Sequence, residues 1–269
     1  MNKIFINIIT SFLEFFFARR FLIPINTILL KLIIRFLGYN NHKDFYSSGE
    51  IFFLRKVCME EPKLCLDIGA NVGKYSSFLL ENSSAKIIAF EPMPKTFNEL
   101  VKIKKNYSNR FFIYKFGLGQ KKTKKNLYFD KNNLQWANFN PEVNKIKYLK
   151  YNKKKIMCSL DTLDNFIRKN KKLINSKIDL IKIDTEGFEL EVLKGAEKTI
   201  KKFKPKYIQL EYNWHHLFKN TNLYYFAKHL KDYNTFKILP FSKNLLKINA
   251  EKPEHNYFNY SNIVFIRKK

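Results

Sequence analysis

The chain has 269 residues, 45% of them hydrophobic, enough for one substantial core with material to spare. Its 50 basic and 23 acidic residues leave a charge of +27, but the lysines are spread among Asn, Ile, Phe and Tyr rather than gathered into a shaped patch. Three unspaced cysteines, Cys58, Cys65 and Cys158, exclude a disulfide scaffold and a thiolate zinc site, and point to a reducing, cytoplasmic compartment.

Residues 1–45 read as a helical leader and residues 46–269 as the main domain. The leader, MNKIFINIITSFLEFFFARRFLIPINTILLKLIIRFLG, is strongly apolar. A membrane span needs about 20 uninterrupted apolar residues, and here Glu14, Arg19, Arg20, Pro24, Lys31 and Arg35 break the run. No small-residue cleavage site follows a single short apolar core, which argues against a signal peptide. Lys3, Asn7, Thr10, Ser11 and Glu14 trace one narrow polar stripe at helical spacing; Thr27, Lys31 and Arg35 trace another. Pro24 suits the first turn of the second helix. Two amphipathic helices are therefore expected. They either pack on the domain or a partner subunit, or lie in a membrane interface with their cations near headgroups; their wide apolar faces favour peripheral membrane contact.

Beyond residue 50, strands are expected at residues 63–69, 86–90, 111–116, 126–129, 156–159, 178–184, 207–212, 236–239 and 263–266. Helices are expected at 72–81, 95–105, 162–169, 189–202 and 223–233. Strands separated by helices predict a mainly parallel sheet covered on both faces. No helical pattern separates the last two strands, which are expected to form an antiparallel pair at one edge. Cys65, inside LCLDIG, reads as a small buried hydrophobe. The lysine runs at 119–126 and 151–156 read as solvated loops or strand edges.

The turn after the first strand, Gly69 to Gly73, lies where open α/β sheets place their ligands. Glycine lets the backbone bend there and a ligand approach closely. The next strand ends in Glu91, 91 − 67 = 24 residues after Asp67, a distance that suits a carboxylate accepting ribose hydroxyls. The turn reads G-x-N-x-G, without the G-x-G-x-x-G spacing that seats a pyrophosphate, and it lacks a P-loop lysine. A nucleoside cofactor without phosphates fits best, and S-adenosylmethionine is the common one.

Farther on, KIDTEGFELEVLKGA at 182–196 delivers Asp184, Glu186 and Gly187 from an apolar strand into a helix. Together with LDIGANVGKYS, AFEPMP and the preceding SLDTLDNFI, it resembles the FkbM-type family of S-adenosylmethionine-dependent methyltransferases, over roughly residues 65–212. The resemblance implies a seven-stranded Rossmann-like sheet. It also implies methyl transfer, usually onto oxygen of a small molecule, sugar or lipid-linked glycan. On the matching positions Asp67, Gly69, Asn71 and Gly73 surround the methionine part of the cofactor, and Glu91 holds its ribose. Gln120 stands where the family often carries an acidic or polar adenine contact, so that contact is left unassigned.

A hydroxyl is a poor nucleophile, and its methylation is helped by a carboxylate base or a divalent cation. Asp184, Glu186 and Glu211 stand at strand ends on the ligand side and are the expected catalytic carboxylates. Glu186 reads equally as a cap of the following helix. Mg²⁺ bound by Asp184, Glu211 and Asn213 is the disfavoured alternative, and no metal is assigned. Lys182 is expected to meet an acidic neighbour. His215 and His216 read as helix packing or as a base, and Trp136 as a stacking surface for the acceptor or a cover for core.

The expected reaction is O-methylation of a saccharide, a glycan or another small hydroxylated metabolite. An RNA methyltransferase is the runner-up. An adenine-N6 enzyme is expected to carry an Asn/Asp-Pro-Pro-aromatic motif, where this chain has Asp184-Thr185-Glu186-Gly187, and the added carboxylates suit a polyanion poorly. Nucleic acid is therefore not the expected partner. A non-catalytic, membrane-associated binding protein on the same scaffold is the third reading.

Overall fold

The computed structural model describes residues 3–40, 44–130, 137–143, 153–174, 177–240 and 245–269. Trp136 lies outside them.

Helices α1 (Lys3–Phe17) and α2 (Ile23–Phe36) form as the polar stripes require, joined by a short 3₁₀ turn, and no residue of α2 is buried. No helix among the described residues is long and apolar enough to cross a membrane. The chain then enters the domain through α3 (Glu50–Met59), a helix absent from the expected set, which buries Phe53, Leu54 and Val57.

Every residue of β1 (Leu64–Ile68) is buried. A run without polar alternation needs cover on both faces, which marks a central parallel strand. It is followed by α4 (Lys74–Asn82), β2 (Lys86–Phe90), α5 (Pro94–Asn106) and β3 (Phe111–Tyr114). Next come β4 (Gly117–Leu118), β5 (Thr123–Asp130), β6 (Lys153–Asp161) and α6 (Leu163–Lys169), whose N-cap Thr162 accepts from the Asn165 amide. The motif strand β7 (Leu180–Ile183) leads to α7 (Glu189–Lys194) and α8 (Glu197–Phe203), then β8 (Tyr207–Tyr212), α9 (Leu223–His229), β9 (Tyr233–Ile238), β10 (Leu245–Lys247) and β11 (Ser261–Arg267).

The main sheet runs β10-β9-β11-β8-β7-β1-β2-β3. Seven of its strands make the expected Rossmann-like sheet, and β10 adds three residues at the edge. Leu66 sits beside Ile88 on one side and Ile181 on the other, which sets the parallel register of the centre. Leu66, Phe90, Ile183 and Leu210 pack in one apolar layer with α6 and α7; Cys65, Ala89 and Leu180 pack in the opposite layer with α3 and α4.

Three departures from expectation have local causes. Strands β9 and β11 are antiparallel as predicted, but β11 inserts between β9 and β8, so β10 forms the edge. The helix expected over 189–202 breaks into α7 and α8, because at Gly195 the backbone closes on Gly119: a Cβ there would lie 2.0 Å from the Gly119 carbonyl oxygen. The strands expected at 126–129 and 156–159 pair with each other in a separate three-stranded sheet, β4-β6-β5, over a cluster containing Met93, Leu127, Leu160 and Phe188.

Candidate active site

The glycine turn is built by close approach. Gly69 has φ +83°, and a Cβ on it would lie 1.8 Å from the Asp184 carbonyl oxygen, so a side chain is excluded by both conformation and space. Gly69 and Ala70 donate their amides to the Phe90 carbonyl, and the Asp184 amide donates to the Ile68 carbonyl at 2.9 Å. The ends of β1, β2 and β7 are thereby tied together. Gly73, at φ +84°, faces Leu100 and Ile103 of α5, so packing demands its small size.

Fully buried Asp67 accepts from Ser76 Oγ at 2.7 Å through Oδ2, while its Oδ1 has no partner. The Asn71 side-chain oxygen is likewise buried and unpartnered, on a residue held at φ +50°. Glu91 receives the Asn71 amide on one carboxylate oxygen and the Met93 amide on the other, both at 2.8 Å. Burial raises its pKa, with the two amides pulling the other way. Its carboxylate is thus held in place by backbone before any ligand arrives.

Lys182 meets Asp184, as its position in the strand predicted, at 2.8 Å from Oδ2. Burial pulls the ammonium down, but Asp184, Asp67 and Glu50 outweigh it and hold the charge above its ordinary range. Around this ion Tyr75 donates to Gln209 at 2.7 Å, and Gln209 donates to Glu50 at 2.6 Å and to Asn262 at 3.1 Å. Sequence reasoning missed Glu50, Tyr75 and Asn262 altogether. Gln209, a lone amide inside the apolar strand YIQLEY, was the visible signal.

The three predicted carboxylates converge. Asp184, Glu186 and Glu211 bring ligand oxygens within 4.8 Å of one another at the ends of β7 and β8. Asn213 donates to Glu211 at 2.6 Å and to Glu186 at 3.1 Å. Burial first, then Asp184, Glu186 and Glu189, push the Glu211 pKa well above the ordinary carboxylate range. Burial also raises Glu186, against the pull of His215. His215 Nδ1 lies 2.9 Å from Glu186 Oε2, close enough for an ion pair but without hydrogen-bond geometry, and both its ring nitrogens are buried without such a bond.

The local anchor is Glu189, not Glu186. One Glu189 oxygen accepts the Thr185 and Gly187 amides, and the other meets His216 Nε2 at 2.8 Å. Burial alone would raise this carboxyl; His216 and the amides lower it below its usual value. Glu186 sits at φ +53° and turns toward the cluster instead of capping α7. His216 is accordingly a packing and pairing residue bound to Glu189, and it is His215 that reaches the cluster, at Glu186.

The FkbM methyltransferase domain matches residues 67–235. The chain belongs to the FkbM methyltransferase family. Solved structures similar to this FkbM protein include a precorrin-6y C5,15-methyltransferase from Geobacter metallireducens GS-15, at 14% identity over 86% of this chain and 94% of that one, TM-score 0.40. An rRNA methylase from Streptococcus thermophilus shows 10% identity over 84% and 99%, TM-score 0.43. SMU.1697c from Streptococcus mutans, solved in complex with SAH, shows 10% identity over 81% and 97%, TM-score 0.42. At these scores none of the three bears on acceptor or site residues. No curated protein matches the chain.

The fold and family are those of S-adenosylmethionine-dependent methyltransferases. The turn of this FkbM chain fits such a cofactor: two buried acceptor oxygens, on Asp67 and Asn71, await donors beside a backbone with no Cβ at Gly69.

Proposed function

We propose that this FkbM methyltransferase O-methylates a saccharide, a glycan or another small hydroxylated acceptor. The observation that supports this most is the adjacency of two things at one sheet edge: the cofactor-shaped turn at Gly69 and the carboxylate cluster that begins at Asp184, whose carbonyl is the atom Gly69 packs against. Asp67, Asn71 and Gly69 would hold the methionine part of S-adenosylmethionine and Glu91 its ribose. When bound, the cofactor supplies a methyl group on a sulfonium.

The chain's own residues handle the proton. Glu211 would accept the acceptor's hydroxyl proton as that oxygen takes the methyl group the bound cofactor would supply. Burial raises the Glu211 pKa well above the ordinary carboxylate range, and a carboxylate with a raised pKa is the stronger base. Asp184 is already paired with Lys182, which suits it to positioning and to balancing charge. Glu186 and Asn213 set the orientation of Glu211.

A second reading has its own support. Three carboxylate oxygens within 4.8 Å are a hard-oxygen set for a divalent cation such as Mg²⁺, which would lower the hydroxyl pKa directly. RNA as acceptor draws support from the charge of +27, but the same carboxylates repel a phosphate backbone.

Titration with S-adenosylhomocysteine, then transfer of a labelled methyl group to a panel of glycosides, glycans and RNA with and without EDTA, tests all of these. Binding with label on a hydroxyl supports the proposal. Label on RNA alone, or no cofactor binding, refutes it; loss of transfer with EDTA selects the cation reading.

A further inference from the structure

We infer that α1 and α2 lie in the interface of an anionic membrane and turn the catalytic edge of the sheet toward the lipid. The observations begin with exposure. Phe21 and Phe36 are 77% exposed and Ile4 67%, and Phe5, Phe12, Phe15, Ile23, Ile28 and Ile33 all keep more than half their surface in water. Consecutive residues Ile4, Phe5 and Ile6 are all exposed, as are Phe15, Phe16 and Phe17. At 100° per residue each triplet spans most of the helix circumference. A groove on a protein, or a second copy of this chain, covers one face of a helix. A lipid interface takes the whole apolar arc and leaves only the stripe of Asn7, Thr10, Ser11 and Glu14 to headgroups and water.

The charges agree. Arg19 and Arg20 at the junction, and Lys31 and Arg35 on α2, are exposed and cationic, against the single acid Glu14, and the whole chain carries +27. Such residues are drawn to an anionic surface.

The attachment point gives the orientation. The end of α2 is fastened to the catalytic edge, not the opposite one. Gly38 abuts Leu239 and Pro240 just past the end of β9, and Tyr39 is buried under Lys237, whose Nζ lies 3.6 Å from the ring centroid. The Asn40 amide donates to the Tyr260 carbonyl at 2.8 Å. Two residues on, Asn262 sits opposite Glu211 in the β8–β11 register. The same edge exposes Leu217 (51%), Tyr225 (48%) and Tyr257 (42%), apolar groups suited to shallow lipid contact. This inference concerns where the protein docks and does not depend on the reaction assigned to the site.

The test uses the full chain. Flotation with vesicles of phosphatidylcholine and phosphatidylglycerol should carry the protein up, and pure phosphatidylcholine should carry about tenfold less. R19E/R20E/K31E/R35E, all at exposed positions, should lower binding to the anionic vesicles by more than about tenfold. Hydrogen exchange of the vesicle-bound chain should show protection in α1, α2 and residues 214–219 and 253–260, but none at 60–63 and 203–206 on the far edge. No flotation, equal binding of the charge-reversed chain, or self-association without lipid overturns the docking. Protection of the helices alone, or of the far edge, overturns the orientation.

Discussion

Replacing Gly69 with alanine perturbs a close contact that joins the candidate cofactor turn to the carboxylate rim. Two costs add. A φ of +83° costs an alanine about 1–2 kcal/mol. The new Cβ would lie 1.8 Å from a backbone carbonyl oxygen that is itself fixed at the end of β7, and relieving such overpacking costs about 1–3 kcal/mol more. The sum, about 2–5 kcal/mol, is a large share of a domain stability of about 5–15 kcal/mol. Gly73→Ala is the internal control. Its φ of +84° carries the same strain, but its Cβ would meet the ends of the Leu100 and Ile103 side chains, at 2.7 and 2.6 Å, rather than a fixed backbone atom. Urea unfolding of both variants, with S-adenosylhomocysteine titration of each, measures the difference. Gly69→Ala should be the less stable by about 1–3 kcal/mol and should lose at least about tenfold in cofactor affinity. Equal stabilities with undiminished affinity for Gly69→Ala would show that the turn and the Asp184 rim are not packed as described.

Glu211→Gln should lower kcat by about 10²–10⁴-fold while leaving cofactor affinity intact, read by single-turnover transfer. Because the folded pKa of Glu211 lies above its unfolded one, the unfolded chain gives up this proton first as pH rises. The same variant should therefore melt at a higher temperature than the parent at pH 7.5, measured by calorimetry, and a lower melting temperature would contradict the upward shift of Glu211. Glu189→Gln disturbs the bonds this carboxylate makes to His216 and to the Thr185 and Gly187 amides and should cost about 1–3 kcal/mol in urea unfolding. In the parent the Glu189 contribution is present above the unfolded carboxylate pKa and fades as pH falls through the acid range, a loss the variant should lack. Lys237 is depressed by burial to about 8, so the unfolded chain binds its proton more tightly between pH 8 and 10.5 and stability from this residue rises with pH across that window, by about 3 kcal/mol in all. The stability difference between the parent and Lys237→Met should track that rise, and a flat difference would refute it.

Most of the candidate site's geometry was legible in the chain because its parts are local. A glycine that must admit a carbonyl, an acid at a strand end and a carboxylate 24 residues after another are all written in short stretches, and the family motif at 182–196 holds the strand-end acid Asp184 together with Glu186. The central strands were equally plain, since an unbroken apolar run buried on both faces has no other stable place. Division of labour among neighbouring acids was not legible. Glu186 and Glu189 are three residues apart in one motif, and the sequence pointed only to Glu186 as a cap; which one accepts the Thr185 and Gly187 amides and which one faces the cluster depends on His215 and His216, delivered by the turn after β8.

What the sequence by itself determined is the alternation of elements, the bend at Gly69 and the identity of the converging carboxylates, because each follows from periodicity or local backbone freedom. Only the tertiary structure decided which of those acids burial raises well above its ordinary range, that Glu50, Gln209 and Asn262 surround Lys182, and that α2 is moored to the same edge as Glu211. Burial and Coulomb energy depend on distances between residues far apart in the chain: α3 brings Glu50, and β11, pairing between β8 and β9, sets Asn262 opposite Glu211.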